Sequence, residues 1–224
     1  MLTVYRSNGN VLPAIFWFIF EALKDPSLCQ QLLAEVQPCV SEETGEIDVM
    51  KLATQPLLQS THAETLRLRV AIAMTRVSER EDYNLDGYRV KKGNPLVIFS
   101  RPAALNEEAW TLAGRKPTRP LEEFQAERFL VKKKDPEQDG ELEFSMDGLA
   151  GCWLPYGGGQ RMCPGRHFAK NEMLGTFALL FTRYEVQLKA GVDTAKVQPD
   201  MRWFPIGGLP PDCRVPFRIR KRVL

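Results

Sequence analysis

The chain has 224 residues, enough for one large domain or two small ones. Hydrophobic residues make up 44% of it and charged residues 26%, the balance of an ordinary soluble globular protein. A net charge of +2 is too small to argue for nucleic acid, five cysteines without a C-x-x-C spacing argue against a disulfide frame or a zinc finger, and the two histidines, His62 and His167, stand too far apart to argue for a histidine metal centre.

This cysteine usage fits a reducing compartment. No signal peptide opens the chain, and no internal repeat appears. Residues 1–10 are weakly patterned. The apolar run Val11 to Leu23 is interrupted by Pro13 and Glu21 and falls short of the ~20 residues a membrane span needs. It predicts a buried helix from Leu12 to about Lys24, because Pro13 would cost an intrahelical bond if the helix ran further upstream. Asp25-Pro26 ends that helix and starts a second, Pro26 to Val36, with Leu28, Leu32, Leu33 and Val36 on one face. Residues 38–48 are acidic and turn-like. A longer helix is predicted over Val49 to Ala71, with a break near Pro56.

Arg69 to Ser78 then alternates apolar and polar residues, and Asp86-Gly87 is a turn signal. Tyr88 to Val90 and Pro95 to Phe99 predict two short strands, with Lys92-Gly93 as a hairpin turn between them. Residues 131–147 are charged, contain Pro136 and Gly140, and predict an exposed insertion. From Gly165 to about Tyr184 the residues Phe168, Met173, Leu174, Phe177, Leu180 and Phe181 recur at helical steps. Val186 to Leu188 and Val215 to Ile219 predict strands around the Pro/Gly-rich link Pro199 to Pro211. The tail Arg218, Arg220, Lys221 and Arg222 is short and predicts a solvated end.

Chemistry concentrates between Trp153 and Ala169, where three adjacent glycines, Gly157 to Gly159, precede Arg161, Cys163 and the start of a helix. Glycines let a backbone take positive φ and lie flat against something large. A cysteine just before a helix N-terminus faces the positive end of the helix dipole and free N–H groups, which stabilise negative charge on sulfur. A haem iron uses such a thiolate, whose electron density favours O–O cleavage, and an arginine fork suits a carboxylate such as a propionate.

At these residues the chain resembles the cytochrome P450 family of haem-thiolate monooxygenases. The family pattern aromatic-x-x-Gly-x-Arg-x-Cys-x-Gly is met by Tyr156, Gly159, Arg161, Cys163 and Gly165, with tyrosine where the family usually has phenylalanine. A second family signature, Glu-x-x-Arg, is met by Glu64 and Arg67. A third, of the Pro-Glu-Arg-Phe type, is met by Glu127, Arg128 and Phe129, with Ala126 in place of proline. The three signatures cover about Thr61 to Tyr184 in the family's order. The resemblance implies a mainly α fold with a small β-sheet, the C-terminal half of the cytochrome P450 fold, in which residues 1–224 form a single partial domain that binds haem. It implies that Cys163 is the axial ligand of a haem b iron, that Tyr156, Gly157, Gly159, Arg161 and Gly165 shape the cofactor site, and that Glu64, Arg67 and Arg128 form a buried structural triad. His167 is expected on the helix surface.

The family's oxygen-side helix usually carries an acid–alcohol pair, and here Asn10 and Val11 stand at those positions. Asparagine carries no carboxylate proton and valine has no hydroxyl. The wording Gly9-Asn10-x-x-Pro13-Ala14-x-Phe16-Trp17 resembles the branch of sterol 7- and 12-alpha-hydroxylases and prostacyclin synthase. Three functions follow as expectations. The first is monooxygenation of a lipophilic small molecule, a sterol or a fungal-type secondary metabolite, with electrons from NADPH–cytochrome P450 reductase. The second is rearrangement of a peroxide on the same haem. The third is a fragment that holds no haem, since family members carry roughly another chain length upstream. A full-length relative is expected on the cytoplasmic side of the endoplasmic reticulum. With that upstream half absent, Ile15, Phe16, Phe18, Ile19 and Phe20 are expected to form an exposed apolar face.

Overall fold

The computed structural model describes residues 2–133 and 140–222, with residues 2–8 as backbone alone. Helix α1 spans Leu2–Lys24 and carries Pro13 in its interior. It therefore begins upstream of the predicted Leu12 start. Proline removes one helical hydrogen bond, yet the turns around it stay helical because Val11, Ala14, Trp17 and Phe18 bury the face they share. The expected exposed apolar face on this helix is overturned: Phe18 is fully buried, Phe20 and Ile15 are 2% and 8% exposed, and Phe16 and Ile19 are partly buried. The cause is tertiary. Phe18 meets Phe177 edge-on at 5.2 Å, while Trp17 and Phe20 close a smaller cluster with Val197.

The Asp25 side chain accepts the Ser27 and Leu28 N–H groups and so caps α2, Pro26–Val36, which has Pro26 in its first turn. Helix α3 is one turn, Val49–Leu52, and α4 is Pro56–Arg69, so the break expected near Pro56 falls between them. The first residue of α4 is a proline and its N-cap residue Gln55 makes no side-chain bond. Glu35 of α2 supplies the cap instead, its two carboxylate oxygens accepting the Leu57 and Leu58 N–H groups at 2.9 and 2.8 Å. Residues Ser60 to Leu68 of α4 are all buried.

Strand β1, Val70–Val77, follows without a loop. Strands β2, Tyr83–Leu85, and β3, Tyr88–Val90, pair through Asp86-Gly87, both at positive φ (47° and 84°), as a tight two-residue hairpin requires. This corrects the expected pairing of Tyr88–Val90 with Pro95–Phe99. Strand β4, Pro95–Phe99, lies antiparallel to β1 instead, since the longer β1 offers it five residue pairs from Ala73 to Val77. On the other side of β1 lies β8, Ile206–Gly208, completing a three-stranded sheet.

Two short helices, α5 at Ser100–Ala104 and α6 at Glu107–Leu112, were not anticipated from the sequence. Strands β5, Leu130–Lys132, and β6, Leu142–Phe144, pair within the charged 131–147 segment, of which residues 134–139 lie outside the described residues. Helix α7 runs Arg166–Arg183, and β7, Tyr184–Leu188, pairs with β9, Phe217–Lys221. The fold is mainly helical with small sheets. Its main core lies between α1, α2, α4 and α7 around Phe18, Leu32, Leu58 and Phe177. A second core gathers Trp110, Phe129, Leu149 and Cys152.

Candidate cofactor site

Helix α4 brings the first group of predicted residues together. Arg67 meets Glu64 through two parallel bonds, Nε to Oε2 at 2.7 Å and Nη2 to Oε1 at 2.8 Å. Arg128 Nε reaches the same Oε1 at 3.0 Å, and the Gln125 N–H also donates to it. All three ionic side chains are buried. Further guanidinium N–H groups go to main-chain carbonyls: Arg67 to Ala104 and Glu123, Arg128 to Arg119, Pro120 and Glu123. Such dense bonding is what a buried charge cluster requires, since each unpaired ion would carry its full desolvation cost. Ser60 adds a further tie, donating to the Ala126 carbonyl at 2.5 Å and accepting the Phe129 N–H at 3.1 Å.

The second group is the loop. Gly157 and Gly159 sit at φ +78° and +68°, where only glycine is unstrained. The Cys163 N–H donates to the Tyr156 carbonyl at 2.9 Å and closes the loop over the six residues Gly157 to Met162, which include the glycines. Cys163 is exposed, as are Arg161, Met162 and Phe168. A Cβ on Gly165 would come 3.9 Å from the Cys163 sulfur, so glycine keeps that side of the thiol clear. His167 lies exposed on the first turn of α7.

Three contacts here carried no sequence signal. Arg76 of β1 donates through Nη2 to the Gly158 carbonyl at 2.7 Å, which brings a second guanidinium to the loop that holds Arg161. Trp153 Nε1 donates to the Ala63 carbonyl at 2.9 Å. His62 Nε2 stands 3.3 Å from the Tyr156 hydroxyl. Burial, together with the nearby Lys170 ammonium, pushes the His62 pKa down to about 3, so its ring is neutral at ordinary pH. Burial, then the electrostatic influence of nearby Cys163, raises the Tyr156 phenol, so it stays protonated.

Asn10 and Val11 stand on α1. The Asn10 side-chain oxygen accepts the Gly208 N–H at 3.2 Å, and Val11 is 7% exposed within the main core. The glycines of β8 are needed for this approach: a Cβ on Gly207 would sit 2.1 Å from Asn10 Oδ1, and one on Gly208 2.5 Å from the Asn10 carbonyl oxygen.

The residues around Cys163 suit a flat cofactor that brings carboxylates. One exposed thiol supplies a single ligand, the glycine backbone leaves room beside it, exposed apolar side chains flank it, and two guanidiniums stand at the loop. A macrocyclic cofactor that carries its own iron would need only this one thiol from the loop. A cysteine loop of this kind, on a helical fold with a buried Glu–Arg–Arg cluster, is the arrangement of a haem-thiolate protein.

The chain belongs to the cytochrome P450 family, whose family model matches residues 10–211. It is similar to the cytochrome P450 monooxygenase fsoE of Humicola fuscoatra, at 37% identity over 98% of this chain and 41% of that one. It is also similar to prostacyclin synthase of Rattus norvegicus, at 27% identity over 100% of this chain and 44% of the relative. The 5-beta-cholestane-3-alpha,7-alpha-diol 12-alpha-hydroxylase of Sus scrofa matches at 27% over 99% and 44%. The chain thus spans less than half the length of these curated relatives. The family implies a haem cofactor. No helix among the described residues is long and apolar enough to cross a membrane.

Proposed function

We propose that the chain is the haem-binding portion of a monooxygenase that hydroxylates a lipophilic small molecule, such as a sterol or a fungal-type secondary metabolite. The observation that carries this reading is the exposed Cys163 thiol at the entry to α7, in a loop closed by its own N–H on the Tyr156 carbonyl. Haem b, if bound there, would supply dioxygen activation, assisted by electron density from the Cys163 sulfur. The chain's own residues do the rest. Cys163 provides the sulfur, and Gly165 keeps its approach open. Gly157 and Gly159 let the loop backbone lie flat. Arg161 and Arg76 would offer guanidiniums to the carboxylates of such a cofactor. Glu64, Arg67 and Arg128 hold α4 against the segment 119–129 and have a structural role, not a catalytic one.

Electrons come, in this reading, from NADPH–cytochrome P450 reductase, and the complete protein works at the cytoplasmic face of the endoplasmic reticulum. The exposed Arg161 gives the loop a cationic group suited to an acidic partner. The test is an absorption spectrum of the haem-supplemented chain, reduced and exposed to CO. A Soret band strongly red-shifted from that of a histidine-ligated haem, lost in Cys163→Ala, is the expected result. Failure to take up haem overturns the reading for this chain and leaves it a fragment without its cofactor.

A second reading rests on Asn10 and Val11. The Asn10 amide is committed to the Gly208 backbone and Val11 has no hydroxyl, so neither matches the acid–alcohol pair of oxygen-reducing relatives. Rearrangement of a lipid peroxide needs no such pair and no reductase. Turnover of a peroxide without reductase and NADPH selects this reading, and turnover only with them rejects it.

A further inference from the structure

The residue by which this chain departs from the phenylalanine of the cysteine-loop pattern has a buried partner. Tyr156 carries a hydroxyl, and His62, 94 residues earlier, stands 3.3 Å from it. His62 is 4% exposed and sits on α4 two positions before the Glu64 that both arginines grip. The neighbouring residue Ala63 accepts the Trp153 indole N–H at 2.9 Å. Trp153 in turn meets the Tyr156 ring edge-on at 5.8 Å. Consecutive residues of one rigid helix therefore hold two aromatic side chains of the loop. A hydrogen bond ties this loop to the cysteine: the Cys163 N–H donates to the Tyr156 carbonyl at 2.9 Å.

We propose that His62 is a positioning residue for Cys163, acting through the Tyr156 hydroxyl to fix the loop carbonyl on which the Cys163 N–H is anchored. Because both groups are neutral, the stronger donor gives the proton: the phenol O–H points at the imidazole Nε2, which requires the ring proton on Nδ1. A neutral pair suits this place, since it adds direction without adding a charge beside the sulfur. A phenylalanine at position 156 keeps the ring packing on Trp153 but leaves His62 Nε2 without this partner, and a buried unmatched polar atom is costly. What the pair positions is named on the reading of Cys163 as the iron ligand, but the contact itself does not depend on that reading.

The experiment follows amide hydrogen exchange and peptide-resolved alkylation of Cys163 in the full chain without added haem, so its outcome is separate from whether haem binds. Tyr156→Phe and His62→Gln are each expected to speed exchange of the Cys163 N–H by about 5–10-fold, an effect on the scale of one hydrogen bond. The double variant is expected to add nothing to either single one, because the two act through one contact. Exchange at Leu66 and Leu68 in α4 should stay at the parent rate, and alkylation of Cys163 should quicken with loop exchange. The proposal is overturned by a Cys163 exchange rate within twofold of the parent in Tyr156→Phe. Single effects that multiply in the double variant, or an acceleration shared with α4, overturn it as well. If His62→Gln does not fold, Tyr156→Phe alone decides, since it keeps the aromatic ring and exchanges only a hydroxyl.

Discussion

At Glu64 a full negative charge lies out of water between two guanidiniums, with a third donor from the Gln125 backbone. Replacing it with alanine strands two buried cations at once. Glu64→Ala is expected to cost about 3–5 kcal/mol, read as a fall in the urea midpoint, and Cys163→Ala measured alongside should leave that midpoint near the parent value because the thiol is exposed. His62 makes a different prediction. Its folded pKa of about 3 lies below the unfolded 6.5, so on acidification the unfolded chain takes up a proton that the folded chain refuses. The stability this represents is complete above the unfolded value and is lost as pH falls toward the folded one, at up to about 1.4 kcal/mol per pH unit. Lys170 of α7 faces the ring as a cation and pushes in the same direction as burial. Denaturation midpoints taken between about pH 6 and pH 4 should therefore fall less steeply in His62→Gln than in the parent, and equal slopes would contradict the neutral buried ring.

Among the elements, the tie between α1 and β8 is the most demanding. Gly207 sits at φ +142° and its absent Cβ would overlap the Asn10 side chain, whereas that of Gly208 would overlap the Asn10 main chain. Gly207→Ala is expected to destabilise by about 1–3 kcal/mol, with part of the loss recovered when Asn10→Ala is added, and Gly208→Ala should show no such recovery. Thermal melts of the four variants check the pattern. The sequence announced α2 through its Asp25-Pro26 start, α7 through its apolar steps, and the cysteine loop through residues that are neighbours in the chain. It misplaced the start of α1 because the local cost of Pro13 was read without the burial of Trp17 and Phe18 that outweighs it. It paired β3 with β4 because hairpins are local, whereas β4 finds β1 across the β2–β3 turn. The Glu35 cap on α4, the Arg76 bond to Gly158 and the His62–Tyr156 contact all join distant segments, and nothing in residue spacing marks such partners.

For the molecule as a whole, the proposed haem site would link cofactor to fold. A family member that binds haem through Cys163 when folded, and not when unfolded, gains stability by mass action. At a haem concentration one hundred times the dissociation constant the gain is about 2.7 kcal/mol. For a chain of 224 residues each kcal/mol moves the melting temperature by about 2–4 °C, so saturating haem should raise it by about 5–10 °C. Two variants separate the contributions. Cys163→Ala removes the proposed iron ligand at an exposed position, so its melting temperature without haem should match the parent and its haem-dependent rise should largely vanish. Glu64→Gln keeps the loop intact while weakening the grip on Arg67 and Arg128, so it should start lower and still climb with haem. Exposed apolar residues such as Ile206, at 70%, and Phe168, also at 70%, could adsorb haem without coordination, and that binding would persist in Cys163→Ala. A rise of equal size in Cys163→Ala and the parent would therefore assign the stabilisation to adsorption and remove Cys163 from the cofactor site.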